Sequence, residues 1–104
     1  MKIKILGRFW QIDFEEDKYM TEALGLCHQA TNLIQIRASQ QPIELADTVI
    51  HECLHAATDT LNLGYTEEQI HTTATLLTAV LADNPELRQF IWNCLEENTN
   101  NESR

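Results

Sequence analysis

Basic residues are scarce in this chain: 7 Lys and Arg stand against 16 Asp and Glu in 104 residues, a formal net charge of −9. A phosphate backbone is gripped by clustered Lys and Arg, so nucleic acid is excluded as a partner. The acidity itself serves solubility and does not point to a basic substrate. Glycine is scarce too. The three present form neither a G-x-x-x-x-G-K-[ST] loop nor a G-x-G-x-x-G turn, and nucleotide binding has no support. Cys27, Cys53 and Cys94 are an odd set without a C-x-x-C pair, hence neither a disulfide framework nor a thiolate metal site. Each is expected to be a small buried residue, reduced as in a cytoplasmic protein. Cys27 and His28, neighbours on a strand, point to opposite faces and cannot easily make a catalytic pair. Long apolar runs are also missing. Lys2, Lys4 and Arg8 interrupt the first ten residues and no small-residue cleavage site follows, so the expectation is no signal peptide, no membrane span and a cytoplasmic location.

What is present is an ordinary globular composition, 43% hydrophobic and 22% charged. The length suits one small domain with a modest core, spanning 1–95, and the polar stretch Glu96 to Arg104 is expected to fray. Ile3 and Ile5 alternate with lysines, Gly7 punctuates, and Phe9 to Phe14 continue an extended pattern. A further short strand is expected from Leu24 to His28, and after a Thr31-Asn32 turn the period-two run Leu33 to Arg37 gives another. Pro42 fits the first turn of a helix, and from Ile43 to about Leu61 the period becomes helical. Leu45, Ala46, Val49, Ile50, Cys53, Leu54, Ala57 and Leu61 share an apolar arc. Asp47, Thr48, His51, Glu52, His55, Thr58 and Asp59 share the polar one. Asn62-Leu63-Gly64 ends this helix. Thr66 and Gln69 have the spacing of a capping box for a second, running to about Ala82 with Ile70, Ala74, Leu77 and Leu81 inward. Asp83-Asn84-Pro85 starts a third, carrying Leu87, Phe90, Ile91, Cys94 and Leu95. Trp10 and Trp92 suit core packing. The class is α+β: a small antiparallel sheet of three to four strands followed by three helices.

One motif carries chemistry. His51-Glu52-Cys53-Leu54-His55 is an H-E-x-x-H set, which chance produces roughly 0.016 times in a chain with 4 His and 11 Glu. Imidazoles four apart on a helix point the same way and can share one ion, with zinc the expected occupant. Both lie on the polar arc with Glu52, so filling the core is not their purpose. Two imidazoles leave a tetrahedral ion two positions short, one for a third protein ligand and one for water. The candidates lie at the start of the second helix: Glu67, then Glu68 and His71. Acids at a helix N-terminus also favour the macrodipole without any metal. Asp59, one turn beyond His55, could orient a ligand or face solvent.

His51 to His55 followed by Glu67-Glu68-Gln69-Ile70-His71-Thr72-Thr73-Ala74 resembles the zincin metallopeptidases of the gluzincin type. It is similar, more narrowly, to small H-E-x-x-H proteins often encoded by bacteriophages. The resemblance covers roughly Leu33 to Ala82. It implies that Glu67 is the third zinc ligand, with Ile70 and Ala74 at the apolar or small positions of the second helix. His71 departs from the pattern, standing where an acid or amide is usual, and could itself bind metal in place of Glu67. The resemblance also implies that Leu33 to Arg37 is the sheet edge on which a peptide lies.

A zinc ion at such a site lowers the pKa of its water from 15.7 to about 7. Glu52 would accept that proton as general base and pass it to the leaving amine. Tyr65 or His71 is positioned by sequence to stabilise the oxyanion. The expected function is peptide-bond hydrolysis on a peptide or protein substrate, with a dimer or partner chain supplying walls that so short a domain lacks. Two other readings keep less of this: a zinc-stabilised protein-binding module without turnover, and a solvated helix face with no metal.

Overall fold

A computed structural model describes the backbone of residues 1–100 and the side chains through 98. Four strands precede three helices: β1 (Lys2–Ile5), β2 (Arg8–Glu15), β3 (Gly25–His28), β4 (Leu33–Arg37), α1 (Pro42–Thr60), α2 (Glu67–Asp83) and α3 (Pro85–Asn100). The α+β class and the strand positions are those read from the sequence, but the sheet is mixed rather than antiparallel. Its order is β1-β2-β4-β3, with β2 and β4 parallel at its centre. Alternation fixes which face a side chain takes and says nothing of which strand lies beside it. The β3–β4 hairpin inserts β4 against β2, and β3 becomes the edge. The expectation that β4 is the open edge is thereby corrected: β4 is paired on both sides.

Period two puts Ile3, Ile5, Trp10, Ile12, Cys27, Ile34 and Ile36 on one face of the sheet, where α1 covers them with Leu45, Val49, Cys53 and Ala56. Ile12 stands opposite Ile34, and Ile34 opposite Cys27, so the core runs across the strands in one row. Ile70, Ala74 and Thr78 bury the inner face of α2. The Thr78 hydroxyl donates to the Ala74 carbonyl at 2.7 Å and enters the interior satisfied.

Several burial expectations fail, for one reason: a helix needs a neighbour before its apolar arc is an inside. Leu61, Leu77 and the apolar residues of α3, Trp92 among them, are exposed, and so is Cys94, whereas Cys27 and Cys53 are half-buried. Helix α3 also continues through Asn100, past Glu96 where fraying was expected; residues 101–104 lie outside the described part. No helix among the described residues is long and apolar enough to cross a membrane.

Candidate metal centre

Helix α1 brings His51 and His55 to one side, one turn apart, with ring centroids 5.0 Å from each other. Its C-terminus then reverses the chain. Asn62 adopts a left-handed backbone (φ 53°), its N–H donating to the Asp59 carbonyl while the N–H of Leu63 reaches Thr58. This pattern closes a helix by satisfying its last carbonyls. Gly64 follows at φ 68°, a conformation that costs glycine little. Thr66 then caps α2 reciprocally: the Gln69 N–H donates to Thr66 Oγ1 at 3.1 Å, and the Thr66 N–H to Gln69 Oε1 at 2.8 Å. A chain closed at one end and capped at the other delivers Glu67, the first residue of α2, to the two imidazoles.

The Glu67 carboxylate spans them. His51 Nε2 lies 2.7 Å from Oε1, and His55 Nε2 lies 2.6 Å from Oε2. One ligand atom from each of the three residues falls within 4.8 Å of the others, close enough to hold a single metal ion. Two imidazole nitrogens and one carboxylate oxygen are a donor set that borderline divalent ions take. Among the described residues these three form the one such group. Glu68 is exposed and outside it. His71 has its ring centroid 6.0 Å from that of His51 and lines the same cleft without joining the group. Asp59 lines the cleft too, whereas Tyr65, exposed in the loop, does not.

Glu52 shares the polar arc with His51 and His55, as the periodicity predicts, but it is not open to solvent: it is 5% exposed, packed between α1 and the edge strand β3, which disfavours the alternative of a solvated helix face. Gly25 makes the room. It faces α1, and a Cβ there would stand 2.8 Å from Glu52 Cγ and 2.9 Å from both Glu52 Oε2 and the Thr48 methyl. Gly25 is thus a site residue that the sequence did not disclose; its only signal was a glycine within the expected strand.

Burial pushes the Glu52 carboxyl above its usual range, against the lowering pull of His55 and His51. Glu67 goes the other way: partial burial would raise it, but the charges and hydrogen bonds of His55 and His51 win and hold it low. One site thus has a carboxylate kept charged to meet a cation and a second that holds its proton more readily. Cys27, at the cleft wall, is pushed up to about 12 by burial and then by Glu52, which keeps it a thiol and removes it as a nucleophile.

These groups line a cleft of about 560 Å³, with β3 along one side and the start of α2 along another. No known protein-family model matches this chain, and neither curated proteins nor solved structures include a significant match.

Proposed function

We propose that this chain is a minimal zinc metallopeptidase of the zincin type, hydrolysing peptide bonds with Glu52 as general base. The observation that carries the reading is the convergence of His51, His55 and Glu67 around a point beside a buried carboxylate that is not part of the ligand group. A purely structural metal site has no use for such a carboxylate. Zinc held there would supply a water of lowered pKa and polarise the scissile carbonyl. Glu52 would accept a proton from that water and return it to the leaving amine. Its raised proton affinity suits a group that must act as base and then as acid. The open edge of β3 suits an extended peptide added as a further strand, and His71, which lines the cleft, would steady the developing oxyanion.

The test is cleavage of a peptide library and of denatured casein by the zinc-loaded protein. Chelator should abolish cleavage, and Glu52→Gln should keep the zinc while losing about 10²–10⁴-fold in rate. Cleavage by Glu52→Gln equal to wild type would end the mechanism. Zinc without any cleavage would favour the binding module.

A further inference from the structure

The cleft beside the metal centre carries charge that metal ligation does not explain. Glu44, Asp47 and Asp59 line it together with Glu52 and Glu67, and no Lys or Arg stands among the described residues of its wall. Chain-wide acidity does not point to a substrate, but its placement here does. Positions 44, 47, 51, 55 and 59 follow one another at spacings of three or four, so their side chains form one stripe along α1. Carboxylates thus lie beyond the imidazoles at both ends.

The helix dipole accounts for only part of this. Glu44, in the first turn of α1, is favoured by it, and Asp47 accepts from the Thr75 hydroxyl at 3.1 Å. Asp59 stands in the last turn, where an acid opposes the dipole and no basic residue offsets it. Its carboxylate has no hydrogen bond or ion pair. Glu52 is an independent sign of a ligand: it is 95% buried, lines the cleft and has no hydrogen-bond partner.

The walls set a direction. A Cβ on Gly25 would meet Thr48 and Glu52, the Cys27 thiol feels Glu52 and Asp59, and Gln29 Nε2 donates to the Ala56 carbonyl at 3.5 Å. Strand β3 therefore runs beside α1 in the same sense, and a strand added to its open edge follows the acidic stripe past His51 and His55. Asp47 and Asp59 are about 18 Å apart along the helix, nearly six residues of extended chain, and an even separation sets two side chains on one face. Leu24 and Leu26, 50% and 41% exposed, line the same wall. Carboxylates beside leucines match a side chain with an apolar stem and a cationic head. We propose that the cleft selects an extended peptide with lysine or arginine on both sides of the bond brought to the metal centre. Glu44 and Asp47 receive one cation and Asp59 the other; the position of the bond rests on the peptidase reading, the charge preference does not.

Fluorescence anisotropy on the full chain in chelator and low salt tests this, with end-blocked peptides carrying two lysines, two glutamines or two glutamates six positions apart. The lysine peptide should bind at least about tenfold tighter than the glutamine peptide, and the glutamate peptide most weakly. Combining Glu44→Gln, Asp47→Asn and Asp59→Asn should cost the lysine peptide at least about fivefold, and Asp59→Asn alone about twofold should the triple variant not fold. Asp83→Asn with Glu86→Gln and Glu96→Gln removes as many charges outside the cleft and should change nothing. Equal affinity for the lysine and glutamine peptides, or equal losses in the two triple variants, overturns the proposal. Zinc-loaded wild type separates the two readings. No cleavage with the lysine preference intact would end the peptidase and leave a binder of basic peptides, whereas cleavage indifferent to charge would do the reverse.

Discussion

The chemistry proposed for this molecule turns on one residue that sits where a carboxylate is costly. Glu52 is held against the backbone of Gly25, and burial raises its affinity for a proton. A carboxyl whose folded pKa lies above its unfolded value of 4.5 favours the fold fully below that value, and the advantage is lost as pH rises through the folded pKa. Above the folded pKa the charged side chain therefore costs the metal-free protein stability. Glu52→Gln, which keeps the shape and removes the charge, is expected to raise the melting temperature of the metal-free chain at pH 7 and to change it little at pH 4. A fall at pH 7 would contradict this. The motif singled out Glu52 as the candidate base and helical periodicity set it on the polar arc, but neither pattern disclosed that it is buried. The residue that encloses it, Gly25, is 27 positions away, and no local pattern connects the two.

At the scale of elements, the sequence was read best where signals are local. Pro42, the Asn62 reversal and the Thr66–Gln69 box fixed the ends of α1 and α2 because capping depends on residues three or four apart. Strand partners depend on the whole sheet, and the expected open edge was accordingly the wrong strand. The cap also bears on the site, since Thr66 directly precedes Glu67. Thr66→Ala is expected to cost about 1 kcal/mol of stability. It should also weaken metal uptake, although Thr66 is not a ligand. Thermal melts with and without zinc, together with a zinc titration, measure both. Lost stability with unchanged affinity would separate the cap from the site.

Across the whole molecule, the segment between β2 and β3 is tied to the end of β4 by Asp17. Its carboxylate accepts from Arg37 Nε at 3.1 Å and from the Ser39 hydroxyl at 2.6 Å. The Arg37 hydrogen bond, then that of Ser39, hold the Asp17 carboxyl below its ordinary 3.8. A folded pKa below the unfolded one gives stability that is present above pH 3.8 and lost as pH falls through the folded value. Asp17→Asn should therefore flatten the acid limb of the stability curve below that pH, read by urea melts from pH 2 to 6; an unchanged limb would mean the tie contributes nothing. The helical period of α3 was plain in the sequence, but periodicity alone does not say which arc is covered, and α2 leaves the apolar residues of α3 exposed.

The central claim is that His51 and His55, joined by Glu67, grip one divalent cation. Elemental analysis of protein purified without added metal, beside His51→Ala and His55→Ala, tests it most directly. The wild-type chain should carry one zinc, and either variant should lose it. An equal zinc content in all three proteins, or none in the wild type even after incubation with zinc, would contradict it.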